Sequence, residues 1–213
     1  MKKTLLLAAM AMIGFAANAQ DVQKKSNAQY LSIGPVAGVG MSWVSGLPGN
    51  NKGMRSTNFG LGVIYAKNEH WGWGGQLIVS AEGYDLTYGG NEFKAMPLYL
   101  RMPLRAYYFF GDFKNTVRPK VYLGPSLAFK MSENDNMPAR DQDNFINRNS
   151  GQFNTFDLGV NAGAGVNIKM GRALWLNLDL AYTQGVLDAV DDLAGNYNTN
   201  MNLGFNAGLL FGL

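Results

Sequence analysis

Over most of the chain, apolar and polar residues change places at every step, the period of a β-strand with two unlike faces. The last thirteen residues show it best. Met201, Leu203, Phe205, Ala207, Leu209, Phe211 and Leu213 are apolar, and Asn202, Gly204, Asn206, Gly208, Leu210 and Gly212 lie between them. Segments 174–183, 156–169 and 120–130 repeat the pattern, and 93–110, 71–86, 57–67 and 29–43 follow it with less regular phase. The pattern predicts eight strands.

An alternating face can pack against a second sheet or against lipid. Strands of ten or more residues exceed the usual soluble length of about five or six and suit a tilted bilayer crossing of about 9–11. Aromatic residues gather near strand ends, among them Trp43, Tyr65, Trp71, Trp73, Tyr108, Phe110, Phe129, Phe156, Tyr182 and Phe211, as in the two girdles of a membrane barrel. The opposite face is Gly, Asn, Ser and charge, which fits a narrow polar lumen. The expected fold is therefore all-β: an eight-stranded antiparallel up-and-down transmembrane β-barrel. A soluble sandwich or lipocalin-like barrel is the alternative. Connections at 67–70, 111–116 and 170–172 are short, and those at 44–56, 87–92, 131–153 and 186–198 are expected to be longer. That order matches short periplasmic turns and longer outside loops. Pro103 and Pro125 fall within strand-like segments and are expected to mark bulges or kinks.

The first residues set the compartment. Lys2 and Lys3 precede an uncharged apolar run from Leu5 to Ala17, and Ala17-Asn18-Ala19 is an A-x-A cleavage site. This is a Sec-type secretory signal with cleavage after Ala19. The run is too short for a spanning helix, which needs about 20 residues. The expected organisation is a signal peptide at 1–19, a short periplasmic segment at 20–28 and an outer-membrane barrel at 29–213, with no domain after it. The formal net charge of +3 owes two units to the leader, leaving +1, so nothing points to nucleic acid. The chain has no Cys, which excludes disulfide and thiol chemistry. A content of 27 Gly and 12% aromatics fits a barrel, whose strands average to neutral hydropathy.

The run FKAMPLYLRMPLRAYYFFGD at 93–112, followed by RPKVYLGPSLAFK at 118–130, resembles the PorT-like outer-membrane β-barrel family. YLSIGPVAGVGMSW at 30–43 and FDLGVNAGAGVNI at 156–168 are similar to that family's glycine-rich strands. The resemblance implies an outer-membrane barrel. One member is implicated in assembling a protein-secretion apparatus, and no catalytic motif carries over.

Inward-facing charges come next. The alternation places Glu82, Arg101, Arg105, Lys120, Lys130, Asp157, Lys169 and Asp179 in the lumen. Buried charges must be paired, so a network filling the barrel is expected, with an ion or proton path as the alternative. His70, the single histidine, falls in a short turn beside Trp71, which leaves no His-based site at the outer rim. Glu133, Asp135, Asp141, Asp143, Asp188, Asp191 and Asp192 make two loops acidic. Carboxylates at spacing two can bind calcium, but the EF-hand glycine is absent, and a solvated loop is the expectation. No metal, cofactor or catalytic set is expected.

The expected partners are outer-membrane lipid and lipopolysaccharide, with secretion or envelope-assembly proteins beside them and no nucleic acid. The leading function is non-enzymatic: an envelope structural role, or an accessory of a secretion or assembly complex. A surface binding barrel acting through loops 131–153 and 186–198 is one alternative. A narrow pore is another, with Tyr99, Tyr107, Trp175, Arg101 and Arg105 standing in its way.

Overall fold

The computed structural model describes residues 31–46, 50–88, 91–135, 153–189 and 198–213. The expected leader at 1–19, the expected periplasmic segment at 20–28 and most of the two acidic loops lie outside the described residues. Nine elements form one sheet: β1 (Leu31–Val44), β2 (Asn50–Ala66), β3 (Trp71–Ala81), β4 (Tyr84–Tyr88), β5 (Asn91–Phe109), β6 (Val117–Asp135), β7 (Phe156–Lys169), β8 (Leu174–Gly185) and β9 (Asn200–Gly212). Every neighbouring pair is antiparallel, and β1 pairs with both β2 and β9, which closes the sheet on itself. The described residues contain no helix.

The nine elements make eight barrel strands, because β3 and β4 are two halves of one. Both pair with β5 in a single continuous register, Ala81 opposite Leu98 and Tyr84 opposite Ala95. The break at Glu82–Gly83 arises on the other side. Between the pairs Gly53–Tyr84 and Thr57–Ala81, three residues of β2 face two of the β3–β4 strand. This is a β-bulge, which bends the strand and frees a residue from the ladder. Ser42 of β1 mends the gap. Its hydroxyl donates to the Gly83 carbonyl at 3.0 Å and accepts from the Gly83 N–H at 2.8 Å.

Three expectations need correction. The 44–56 connection is shorter than expected, because β2 begins at Asn50 and not near residue 57. The 87–92 connection likewise shrinks, since β4 runs to Tyr88 and β5 starts at Asn91. Paired backbone extends past the polar residues that suggested loops. Pro103 and Pro125 are not bulges: the register of β5 on β6 is unchanged across them, from Pro103–Ser126 to Ala106–Leu123. Proline there removes a ladder donor without shifting the pairing. The true register shift falls between Leu98 and Tyr99.

The two faces are as unlike as the alternation predicts. Outward positions are apolar and exposed, as at Val39 (62%), Phe59 (60%) and Leu123 (58%). Inward positions are buried and largely polar or aromatic. The outer face is apolar along most of each strand, with Arg55 and Thr57 exposed only toward the loop end of β2, and the closed sheet leaves no free edge along the crossing, as a bilayer requires.

Candidate functional site

Among the described residues, the lumen is where the fold concentrates charge. Inward positions of facing strands point at each other across a narrow interior, so period-two placement alone brings these groups together. They fall into two groups at different heights.

The group nearer the long loops centres on Arg101 of β5. Its Nε donates to Glu82 Oε1 at 2.8 Å and its Nη2 to Oε2 at 2.6 Å, a fork-on-fork pair. Nη2 also donates to Asp157 Oδ2 of β7 at 3.1 Å, and Nη1 to Ser126 Oγ of β6 at 3.2 Å. Glu82 accepts two more bonds, from Ser80 Oγ and Asn200 Nδ2, each at 2.7 Å. The guanidinium thus ties together four barrel strands, and Glu82 adds a fifth through Asn200 of β9. Above it, the buried rings of Tyr99 and Phe153 meet edge to face at 6.3 Å.

The group nearer the chain termini is built differently. Arg105 Nε donates to Asn161 Oδ1 at 2.7 Å, and its guanidinium lies 4.4 Å over the Tyr122 ring. Asn161 donates onward to Thr183 Oγ1 at 2.9 Å. Lys120 Nζ is 2.9 Å from Asp179 Oδ1 and also donates to Asn177 Oδ1. Asn177 in turn donates to Asp179 Oδ2 at 2.6 Å. Below them Arg118 is held between Phe109 and Phe113, at 4.6 and 4.7 Å, and donates to the Glu69 carbonyl at 2.6 Å.

The charge count explains why two groups are needed. The first sets two carboxylates against one cation, and the second sets Arg105 and Lys120 against Asp179. Each is off by one charge, in opposite senses, and the six cancel. One cavity, beside Gln76, Tyr107 and Asp179, measures about 10 Å³, which is about one water molecule. Chemically the arrangement braces the barrel.

The eight expected lumen charges do not all meet. Glu82, Arg101 and Asp157 form one cluster, and Lys120 and Asp179 another with Arg105 beside them. Lys130 and Lys169 stand at opposite rims. Lys130 donates to the Phe153 carbonyl, and Lys169 lies 5.8 Å over Trp175. His70 is exposed in its turn, stacked on Tyr108 at 5.9 Å, with Nδ1 3.2 Å from the Phe109 carbonyl. Among the described residues no three His, Asp or Glu side chains gather as a metal would need. Sequence reasoning missed Arg118, Asn161, Asn177 and Asn200. The first three share the inward phase of Lys120, Asp157 and Asp179, so the alternation carried the signal.

A closed eight-stranded antiparallel barrel with an apolar outer face and a packed polar lumen defines a class: the small barrels of the outer membrane. The chain belongs to the outer membrane protein beta-barrel domain family, which matches it over residues 18–191. It resides in the outer membrane. No curated protein sequence matches it. Among solved structures, the outer membrane protein OprG from Pseudomonas aeruginosa is similar with a TM-score of 0.60 and 16% identity, covering 86% of this chain and 95% of that one. Neisserial surface protein A gives 0.49 and 15% over 86% and 97%. Ail of Yersinia pestis, solved with a heparin analogue, gives 0.46 and 15% over 85% and 99%. At these identities the likeness is one of fold.

Proposed function

We propose that this chain is a non-enzymatic and non-conducting barrel that scaffolds the envelope or serves as an accessory of a secretion or assembly complex, in the manner its PorT-like strands suggest. The observation behind this reading is the filled lumen. A barrel braced across five strands by buried ion pairs has nothing to gain from that interior as a path, and its contacts must be made by the rims and the outer face. Planar-bilayer recordings should show no single-channel steps. The deciding experiment extracts the protein from outer membranes in mild detergent and separates it on a native gel. A discrete large species containing secretion or assembly proteins is expected. A lone species near the mass of the chain, with an unaltered envelope after gene deletion, would overturn the reading.

A second reading, surface binding through loops 131–153 and 186–198, draws support from the bases of those loops. Asn154 N–H donates to the Ala189 carbonyl and Asn154 Nδ2 to the Asp188 carbonyl, both at 2.8 Å. Asp188 Oδ1 accepts the Asn198 N–H at 2.8 Å. The two loops therefore rise from one joined platform. Removing both loops and retaining surface binding would dispose of this alternative.

A further inference from the structure

The two walls of the lumen differ in the half nearer the chain termini. The bonds around Arg105 and Lys120 run among β5, β6, β7 and β8: Arg105 to Asn161, Asn161 to Thr183, and Lys120 to Asn177 and Asp179. The facing wall of β1, β2, β3 and β9 presents Val36, Gly62, Ile64 and Leu210 at this height. Gln76 of β3 stands among them. It is 7% exposed, and its Oε1 has no hydrogen-bond partner within the protein. Burying an amide oxygen unpaired is costly, so a glutamine set between valine, isoleucine and leucine side chains calls for a partner at this place.

The cavity of about 10 Å³ lies beside that residue. Four polar side chains line it, Gln76 of β3, Tyr107 of β5, and Asn177 and Asp179 of β8, against Val36, Ile64 and Leu210. A buried water needs about this volume and two to four polar partners. The volume excludes anything larger. A metal ion is disfavoured, because the Asp179 carboxylate already stands 2.9 Å from Lys120 Nζ, and that ammonium repels a second cation. The walls supply both senses of hydrogen bond: the Gln76 amide oxygen and the Asp179 carboxylate accept, and the Tyr107 hydroxyl donates.

We propose that this cavity is the binding site of a single water molecule, which accepts from the Tyr107 hydroxyl and donates to Gln76 Oε1 and to Asp179. The water carries the network of β5 and β8 across the lumen to β3. In the loop half the equivalent crossing is made by protein groups alone, with Ser80 and Asn200 bonded directly to Glu82. In the turn half the facing wall is too apolar to reach the acid, and solvent completes the brace. The Arg101 cluster on one side and the stack of Arg118 on Phe109 and Phe113 on the other separate the site from both mouths, so the water exchanges slowly.

Gly62 offers a way to expel the water and keep its ligands. The atoms nearest a Cβ there are Val36 Cγ1 at 3.0 Å, Gln76 Cγ at 3.6 Å and Leu210 Cδ2 at 3.9 Å, all in side chains, so Gly62→Ala narrows the cavity from one wall. Protein purified from outer membranes is kept folded in detergent, and deuteron magnetic relaxation dispersion counts its long-lived internal waters. The starting protein should hold one more than Gly62→Ala and one more than Gln76→Val. A crystal structure of the starting protein should place density within hydrogen-bond distance of Gln76 and Asp179. In urea unfolding, Gly62→Ala should lower the folding equilibrium constant about tenfold, since it strands the Gln76 amide, and adding Gln76→Val should recover most of that loss. An equal water count in the starting protein and Gly62→Ala, a dry cavity in the crystal, density at metal-ligand distances, or a tenfold loss that Gln76→Val leaves unrepaired would each overturn the proposal. Heat-dependent gel mobility confirms that every variant is folded.

Discussion

The two halves of the lumen solve one problem in different ways. Toward the loops, Arg101 is held by two carboxylates and a hydroxyl. Toward the termini, Arg105 and Arg118 are held against the faces of Tyr122, Phe109 and Phe113. The difference follows from what each half must do. The loop half contains the bulge at Glu82–Gly83, where backbone groups leave the ladder, and hydrogen-bonding side chains are needed there in number. The turn half keeps its register throughout, so rings can fill the space and hold cations at low cost in lost hydrogen bonds. Polarity in this lumen tracks the irregularity of its wall.

The largest effect should come from removing the cation that serves two acids. Arg101→Met leaves Glu82 and Asp157 buried with no guanidinium, which costs about 3–5 kcal/mol. Urea unfolding of the detergent-folded barrel, followed by tryptophan fluorescence, should show it. A loss below about 1 kcal/mol would mean that the carboxylates do not depend on Arg101.

Next is a pair of double replacements that sharpens the contrast. In the turn half, Asp179→Leu alone should cost about 3 kcal/mol, and adding Lys120→Met should recover most of it, because a buried pair is often replaced by apolar residues without loss. In the loop half, Glu82→Met with Arg101→Met should stay costly by about 2 kcal/mol, because Ser80, Asn200 and Asp157 lose their partners. Equal recovery in both halves would abolish the distinction.

A smaller change tests the aromatic packing. The Tyr122 ring covers Gly163, where an added Cβ would overlap the ring and the Leu180 carbonyl. Gly163→Val should therefore destabilise by about 1–3 kcal/mol, the range for overpacking, in the same urea assay. A neutral result would mean that the ring can move aside.

The sequence carried the architecture because period two is a global property: once Leu174 to Gln184 and Met201 to Leu213 face lipid at every second residue, the partners of each strand follow. The same period put Glu82, Arg101, Asp157, Lys120 and Asp179 inside. It could not say at what height each would stand, because height depends on register, and register depends on bulges. The bulge on β2 near residues 54–56 has no proline or paired glycines to announce it, and the prolines that seemed to announce one at 103 and 125 leave the register alone. Lys130 and Lys169 have the right phase, but stand at the rims. Side-chain direction was legible, and depth was not.

Ser42 is where these two kinds of information meet, and it gives the smallest and most specific test. It is fully buried, and its hydroxyl makes both bonds to Gly83, as donor and as acceptor. Ser42→Ala keeps the strand propensity and nearly all the volume, and removes only those bonds. It should cost about 1–2 kcal/mol, the price of leaving a buried backbone group unsatisfied. The same substitution at Ser32, on the same strand but beside an unbroken ladder, should cost less than half as much, since its hydroxyl makes one long bond of 3.4 Å to the Ile64 carbonyl. If the two substitutions cost the same, the polar character of the loop half owes nothing to the break in its wall. If Ser42 alone is costly, the dense bonding around Glu82 is the repair of a bulge, and the ion pairs of Arg101 are the part of that repair that reaches across the lumen.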